Sequence, residues 1–257
     1  PLSTVSMPRV VLWLGAPASG KGSYSKAVGE ALRRTVGLAP KRITTSDVIK
    51  AELKSPDVNP ELKRCIEAQI HVPTELFVPA LQKQLSLAED VVFLDGFPRS
   101  QEQVEHLRSF AGEASRISLA GAVHLDIPRD WALAKFTGRL VCPNCDHSYN
   151  DARVEDGDVV WAADLPEDPK CGGCDGFPSK LIRRDPDSAV FASRFDEYLA
   201  KEAAVPGLLE SVTSVQHVRV VGGYPETGPH VATAVGQLLG VDLAEAYETV
   251  LDDWELR

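Results

Sequence analysis

The segment Pro8-Arg-Val-Val-Leu-Trp-Leu14, continued by Gly15-Ala-Pro-Ala-Ser-Gly-Lys-Gly-Ser23, carries the strongest information about fold class. Its first part is a short apolar, β-branched run, typical of a buried parallel strand. Its second part is a glycine-rich loop, after which residues 24–36 show the apolar spacing of a helix. A glycine-rich loop between a strand and a helix favours phosphate binding, because main-chain N–H groups and the helix N terminus attract anions.

The rest of the chain alternates apolar runs with amphipathic segments, which predicts a doubly wound parallel sheet. Further core strands are expected at residues 41–44, 91–94, 120–125 and 215–221. Helices are expected at residues 46–53, 60–69, 73–87, 100–110, 128–138, 187–209, 230–239 and 243–254.

Composition excludes several classes of protein. The 257 residues are 44% hydrophobic and 25% charged, which are ordinary values for a globular protein and not for a collagen, a coiled coil or a disordered chain. The net charge of −10 argues against a general binder of nucleic acid or of anionic membranes. No apolar run approaches the length of about 18 residues that a membrane span requires.

Four of the five cysteines form two Cys-x-x-Cys pairs, Cys142-Pro-Asn-Cys145 and Cys171-Gly-Gly-Cys174, with 25 residues between the pairs. Two such pairs are typical of a structural zinc site with four thiolate ligands. Two disulfides, or cysteines without a common role, are the alternatives. The composition changes at residue 141, and the predicted metal-bound segment is an inserted subdomain. Cys65 lies in a helical pattern and is expected to be a small buried residue.

The glycine-rich loop matches most of a Walker A motif, Gly15-x4-Gly20-Lys21. Glycines let the main chain approach phosphate oxygens, and Lys21 is predicted to reach the β- and γ-phosphates of a nucleotide. The loop departs from the motif because Gly22, rather than Ser or Thr, follows the lysine, and Ser23 comes one residue later. An ordinary tight turn is the alternative interpretation.

The Gly-Lys-Gly-Ser ending resembles the loop of adenylate kinases and their nucleoside-monophosphate kinase relatives. Other segments from about residue 9 to about residue 240 resemble this family in the same order. They are Thr44-Thr45-Ser46-Asp47-Val48-Ile49-Lys50, Asp95-Gly96-Phe97-Pro98-Arg99 with Gln103, Gly138-Arg139, the two cysteine pairs, Arg183-Arg184-Asp185 and Arg194.

The resemblance implies a P-loop α/β fold: a doubly wound parallel sheet with helices on both faces, an inserted helical subdomain that binds the monophosphate, and a zinc-ribbon-like lid. The expected core comprises residues 8–43, 81–138 and 184–240. The expected monophosphate-binding subdomain is 44–80, the lid with four cysteines is 139–183, and a C-terminal helical extension is 241–257.

The resemblance also implies a reaction, the reversible Mg²⁺-dependent transfer of the ATP γ-phosphate to AMP, giving two ADP. The catalytic residues that it implies are Lys21, Arg99, Arg139, Arg183, Arg194, Asp95 and Asp185. The cations would clamp the phosphates, Asp95 would hold a water molecule of the Mg²⁺ shell, and Asp185 would orient the neighbouring arginines. The alternatives are solvated surface arginines and, for Asp95, a carboxylate that caps a turn.

The same resemblance assigns nucleotide contacts. The implied ATP site comprises Gly15, Ala16, Pro17, Ala18, Ser19, Gly20, Lys21, Gly22, Ser23, Lys135 and Arg139. The implied AMP site comprises Thr45, Lys50, Val72, Gly96, Arg99, Gln103, Arg183 and Arg194. Adenine is favoured as the acceptor base because the Gln103 amide can form two hydrogen bonds with its edge. The implied metal ligands are Cys142, Cys145, Cys171 and Cys174, and the implied cofactors are Mg²⁺ with ATP and a structural Zn²⁺ in the lid.

Four positions depart from the family pattern: Ala18 replaces a glycine, Ser23 a threonine, and Lys50 and Lys135 each an arginine. Lysine supplies charge but lacks the planar fork of arginine, so tight AMP binding and the identity of the donor, ATP or GTP, stay open. A nucleotide-binding or scaffolding module with little turnover is the alternative from another class, and the amphipathic segment 241–257 could dock its partner.

The expected partners are the nucleotides ATP, AMP and ADP, without nucleic acid or membrane, and the protein is expected to be a monomer. Pro1–Ser6 lack the basic and apolar regions of a signal peptide. A cytoplasmic location is therefore expected, with an organelle left open.

Overall fold

The computed structural model describes residues 7–68, 72–88, 90–110, 117–145, 147–157, 159–166, 171, 174, 181–184 and 187–255. Its strands are β1 (Arg9–Gly15), β2 (Lys41–Thr44), β3 (Val91–Asp95), β4 (Ser118–Asp126), β5 (Arg139–Val141), β6 (Ser148–Asn150), β7 (Val154–Asp156), β8 (Val159–Trp161), β9 (Ile182–Arg183) and β10 (Val215–Arg219). Its helices are α1 (Lys21–Val36), α2 (Thr45–Leu53), α3 (Pro60–Glu67), α4 (Thr74–Ser86), α5 (Gln101–Phe110), α6 (Arg129–Thr137), α7 (Ser188–Lys201), α8 (Val205–Leu209), α9 (Tyr224–Leu239) and α10 (Ala244–Glu255).

Five parallel strands form the central sheet in the order β10-β4-β1-β3-β2. The register places Gly15 opposite Leu125 and Trp13 opposite Asp95, so β1, β3 and β4 end at the same edge. Ligands of open α/β sheets bind at this carboxyl edge. The predicted doubly wound parallel sheet is therefore confirmed.

Alternate side chains of β1 enter two different apolar cores. Val11 and Trp13 are buried with side chains of α1, α6, α7, α9 and α10 on one face of the sheet. Val10, Leu12 and Leu14 are buried with side chains of α2, α4, α5 and α8 on the other face. Because both faces are covered by helices, the strand consists almost wholly of apolar residues, as in other buried parallel sheets.

Two small antiparallel sheets lie between α6 and α7. One has the strand order β6-β5-β9, and the other is the hairpin of β7 and β8. The only other apolar cluster of the described residues lies here and contains Cys142, Tyr149 and Cys171 as its buried members. A core this small gives the segment little hydrophobic stabilisation, which is the situation in which metal ligands are used instead.

The helix expected at residues 187–209 is two helices in the structure, and that prediction was wrong in this respect. Helix α7 ends at Lys201 with Glu202 as its C-cap, and α8 begins at Val205. A proline inside a helix collides with the carbonyl group four residues earlier, which for Pro206 belongs to Glu202. Helix α9 also begins earlier than expected, at Tyr224, with a proline in its first turn.

The C-terminal helix α10 packs on its own chain. Leu243, Tyr247 and Val250 are fully buried with residues of α1 and α9. The Tyr247 ring lies so close to Gly228 of α9 that a Cβ atom at Gly228 would overlap it. These three residues of the C-terminal segment therefore cover the core of their own chain.

In the part of the chain that the structure describes, every helix is too short or too polar to cross a membrane.

Candidate active site

The loop between β1 and α1 lines a hollow at the sheet edge with Gly15, Pro17 and Lys21. Gly15 has a φ of +138°, and a Cβ there would lie 2.5 Å from the carbonyl oxygen of Leu125. Gly20 has a φ of +94° and precedes the first residue of α1. Ala18 has a φ of +62°, which costs a non-glycine residue about 1–2 kcal/mol. The left-handed backbone at this position explains why glycine suits it better than alanine.

Lys21 lies at the first position of α1 and folds back over the loop. Its Nζ donates to the carbonyl oxygens of Gly15 at 2.7 Å and Ala16 at 3.0 Å. Burial lowers the pKa of Lys21, although the carboxylates of Asp95 and Glu202 oppose the shift. The loop thus holds a cation over its hollow by main-chain carbonyl groups.

Asp95 ends β3 beside this loop. Its Oδ2 accepts from Nη2 of Arg42 at 2.6 Å, and Arg42 lies on the neighbouring strand β2. An oxygen ligand at this edge suits the hydrated shell of Mg²⁺, which keeps several water molecules and bridges phosphates. Binding of such an ion would require Arg42 to share or release the carboxylate.

Four residues of the implied AMP site lie together: Thr45 at the start of α2, Gly96 and Arg99 in the turn after β3, and Gln103 in the first turn of α5. A Cβ at Gly96 would lie 2.8 Å from Nη2 of Arg99 and 3.1 Å from Oγ1 of Thr45. The Gln103 Oε1 accepts from the main-chain N–H of Arg99 at 2.8 Å. Gln103 therefore holds the Arg99 turn through its oxygen, and its amide group can donate to a ligand.

A cavity of about 480 Å³ separates these residues from the phosphate loop. Three cations line it, and so do two acidic side chains. The cations are Lys21, Arg99 and Arg194, and the acids are Glu197 and Glu202. Arg194 lies on α7, with its guanidinium carbon 5.5 Å from the centre of the Phe136 ring. The volume is within the range of small-molecule binding sites.

Val72 and Lys50, two further implied AMP contacts, lie outside this cavity. Val72 is half-buried and packs against the core cluster that includes Phe97. Lys50 is exposed on the last turn of α2, one helical turn after Ser46, which lines the cavity. Neither residue contributes to the cavity lining itself.

Lys135 and Trp161 meet where the lid joins the core. The Nζ of Lys135 lies 3.7 Å from the centre of the Trp161 ring, and a Cβ at Gly20 would lie 3.5 Å from the same nitrogen. Burial, together with the neighbouring charge of Arg139, lowers the pKa of Lys135 to about 7, although Asp164 opposes the shift. This cation is thus held between the phosphate loop and an aromatic ring of the lid hairpin.

Arg183 points to the lid base and not to the cavity. Its Nη1 donates to the carbonyl oxygen of Thr137 at 2.6 Å, and its guanidinium forms a two-point ion pair with Asp151. Arg139, two residues after Thr137, begins β5 and is half-buried. The structure therefore brings Arg99 and Arg194 together, but it does not bring Arg183 to them. Asp185 lies outside the described residues.

The four paired cysteines meet in the lid. Their Sγ atoms all lie within 4.8 Å of one another, and the Sγ atoms of Cys145 and Cys171 are 3.7 Å apart. Tetrahedral zinc with Zn–S bonds of about 2.3 Å requires sulfur atoms about 3.8 Å apart, so the arrangement fits the ion. The structure contains no disulfide bond among the five cysteines, so it favours the four-thiolate site over disulfide pairing. The hydroxyl of Tyr149 donates to the Sγ of Cys171 at 3.2 Å, as an outer group that orients a ligand would.

Sequence reasoning missed three charged residues around this cavity, Arg42, Glu197 and Glu202. Arg42 is separated from Asp95 by 53 residues along the chain, so no local motif connects them. Glu202 could have been found from Pro206, because a helix break at that point places its C-cap residue next to the sheet edge. Trp161 could have been linked to Lys135 only through the position of the lid hairpin.

Comparison with models of protein families found no match for this chain. Curated relatives nevertheless cover most of it. An adenylate kinase of Thermotoga neapolitana is 31% identical over 204 residues, which are 77% of this chain and 84% of the relative. An adenylate kinase of Desulforamulus reducens is 26% identical over 220 residues, 82% of this chain and 95% of the relative.

A third relative, an adenylate kinase of Ruminiclostridium cellulolyticum, is 28% identical over 232 residues, or 89% of this chain and 99% of the relative. An alignment of this length is long enough to include the phosphate loop, the Asp95–Arg99 turn and the segment with the four cysteines. The sheet order and the meeting of these segments at one edge agree with that relationship. The chain therefore belongs to the adenylate kinase family.

Proposed function

We propose that the protein transfers the γ-phosphoryl group of ATP to AMP, reversibly forming two ADP. The observation that supports this most directly is the cavity between the Lys21 loop and the Arg99 turn, because it has cations facing it from both sides. A site for one nucleotide would need only one of these two cationic faces. Two faces suit a donor and an acceptor whose phosphates must meet in line.

The chemistry asked of the protein is positioning and charge neutralisation. Lys21 and the loop N–H groups would hold the donor phosphates, and Arg99 and Arg194 would hold the acceptor phosphate. The acceptor phosphate is already an anion, so no side chain has to remove a proton from it. Fixed cations in a cavity from which water is excluded stabilise the charge that spreads over the transferred group.

The two bases would be recognised by different means. Thr45 and Gln103 would recognise adenine in the acceptor, with the Gln103 amide group as the hydrogen-bonding edge. Lys135, with Arg139 next to it, would lie at the donor. Because the Lys135 ammonium now faces the Trp161 ring at 3.7 Å, a donor base that stacks on Lys135 would displace or share this contact.

Two metal ions complete the proposal. Mg²⁺ would arrive with ATP and neutralise its phosphates, and Asp95 would orient a water molecule of the ion's shell once Arg42 shares that carboxylate. Zn²⁺ would be held by Cys142, Cys145, Cys171 and Cys174. Because the four thiolates fill a tetrahedral shell, this ion would stabilise the lid without taking part in the reaction.

We further propose the division into a core (8–43, 81–138 and 184–240), a monophosphate-binding subdomain (44–80), a lid (139–183) and a C-terminal helical extension (241–257). The lid would close over the donor and exclude water, which prevents hydrolysis of ATP. Arg183 would have to leave Asp151 to reach a phosphate, and Asp185 would orient it. The protein would act as a monomer in the cytoplasm.

The test is a coupled assay of ADP formation from ATP and AMP with Mg²⁺, using the full chain. The proposal predicts ADP formation that requires both nucleotides and the metal. GTP in place of ATP, and CMP or UMP in place of AMP, identify the donor and the acceptor base. Tight nucleotide binding without ADP formation would support a binding or scaffolding module instead.

A further inference from the structure

Glu202 is one of two acidic residues, with Glu197, that line a cavity proposed to bind anions. It is the C-cap of α7, half-buried, and it lines the cavity with Lys21 and Arg99. Its Oε1 lies 3.6 Å from Nη1 of Arg99. The proposed reaction does not need this carboxylate as a general base, because the acceptor phosphate is already an anion.

The position of Glu202 follows from the helix break and not from the packing of its side chain. Pro206 opposes the continuation of α7, which ends at Lys201, and α8 starts at Val205. The main chain at Glu202 is therefore fixed at the wall of the cavity. A neutral side chain would satisfy the same C-cap, since the cap hydrogen bond runs from the Glu202 N–H to the Tyr198 carbonyl oxygen.

A carboxylate and a phosphate compete for the same guanidinium. Both accept hydrogen bonds from the arginine fork, and their negative charges repel each other strongly where water is scarce. An acceptor phosphate that reaches Arg99 would therefore compete with Glu202 for this guanidinium. Desolvation raises the pKa of Glu202, with the charges of Arg99 and Lys21 opposing the rise.

We propose that Glu202 sets the affinity and charge selectivity of the acceptor site: its carboxylate holds Arg99 in the empty cleft and competes there with the phosphate of the incoming nucleoside monophosphate. This inference rests on the proposed function. It makes AMP binding weaker than the cations alone would allow. It also penalises ligands that carry more negative charge at the same place, such as inorganic pyrophosphate.

The test compares Glu202→Gln with the parent protein and with two matched variants. Glu202→Asp keeps the charge, and Glu210→Gln removes an exposed carboxylate that pairs with His217 away from the cavity. The KM for AMP and the affinity for AMP alone by calorimetry should improve about three- to tenfold in Glu202→Gln, the gain expected for a partly solvated charge. The KM for ATP should not change, and the two matched variants should resemble the parent.

Two further readouts separate competition from a structural role. Pyrophosphate, which lacks a base, should inhibit Glu202→Gln more strongly than the parent when it competes with AMP. The difference in AMP affinity should also shrink as the pH falls and Glu202 becomes protonated in the parent. The other charged or titratable groups that face Glu202 are the same in both proteins; they are Arg99, Lys21, Glu197, Asp95, Tyr198 and Arg194.

Weaker AMP binding by Glu202→Gln would overturn the inference and make Glu202 a residue that positions Arg99 for catalysis. Unchanged AMP and pyrophosphate binding would overturn it as well. Both results leave the proposed function intact if the parent forms ADP. If the parent forms no ADP, calorimetry with AMP alone still decides on Glu202.

Discussion

The phosphate loop and the lid hold their charged groups by different forces. The loop is fixed by close packing at the sheet edge, where Leu12, Trp13 and Leu94 are almost completely buried and Gly15 lies very close to Leu125. The lid has strands of two or three residues and a cluster of three buried side chains. The difference teaches that a site built on packing is already formed in the folded chain, whereas a lid with so small a core would depend on the proposed zinc ion.

Removing the metal should have the largest effect and should act on one region alone. Chelation, or Cys171→Ser, should unfold the lid while the core keeps its melting temperature, because structural zinc supplies about 10–16 kcal/mol of apparent binding free energy in small domains. Hydrogen exchange resolved by peptide, together with metal analysis, measures this. Cys65→Ala, in the buried face of α3, should leave the zinc content at one ion per chain.

If the core unfolds at the same chelator concentration as the lid, the two regions unfold as one unit and are not stabilised separately. If the purified protein has four titratable thiols and no zinc, the proposal that zinc stabilises the lid is wrong.

Lys21 tests the packed region. Lys21→Met should lower kcat by about 10²–10³, the effect of removing one preorganised electrostatic group. Its melting temperature should not fall, because the charge of Lys21 is desolvated in the folded protein. Steady-state kinetics and thermal unfolding measure the two effects. Lys63→Met, an exposed change on α3, serves as the control, and a Lys21→Met protein that is inactive because it is unfolded would contradict the claim.

Lys135 lies between the phosphate loop and the lid, and we expect it to make thermal stability depend on pH. Its pKa is about 7 in the folded protein against an ordinary value of 10.5. Between these values the unfolded chain binds a proton that the folded protein does not, so this residue makes stability rise with pH. The melting temperature of the parent relative to Lys135→Met should therefore increase from pH 7 to pH 10.

Lys135→Arg should not show this increase, because a guanidinium stays protonated over the whole range. A parent that follows Lys135→Met at every pH would show that the ammonium is solvated, and that Trp161 does not cover it in solution.

Lys50 should show the smallest effect. If the resemblance assigns it correctly, Lys50→Arg should lower the KM for AMP several-fold, since a second charge-assisted hydrogen bond is worth about 1.5–3 kcal/mol at best. Lys50→Ala should raise the KM for AMP and lower kcat, with little change in the KM for ATP. Lys54→Arg, at the exposed C-cap of α2, is the matched control. Unchanged AMP kinetics in Lys50→Ala would remove Lys50 from the site.

Sequence reasoning reached the packed region in more detail than the lid. The alternation of apolar residues in β1 and the glycines that follow it depend on neighbours along the chain, so strand, loop and helix could all be predicted. The cysteine pairs predicted the cluster of thiols for the same reason. The pairing of Arg183 with Asp151 depends on how β5, β6 and β9 lie together, and no local pattern contains that information.

The partners of the site carboxylates were unpredictable for a related reason. Arg42 meets Asp95 because β2 pairs with β3, and Glu202 meets Arg99 because a helix ends early. Both contacts are products of tertiary structure between residues whose types alone suggest ordinary surface charges. The helix break at Pro206 is the one such feature that elementary stereochemistry could have supplied.

The close approach of Gly228 to Tyr247 has a practical consequence far from the cleft. The methyl group of Gly228→Ala would overlap the Tyr247 ring and force α9 and α10 apart. The strain would destabilise the packing of these two helices against α1. Every nucleotide contact would keep its chemistry, while the upper temperature at which the fold survives would fall. Geneticists seeking a heat-sensitive allele, active in the cold and lost on warming, have a natural starting point in this glycine.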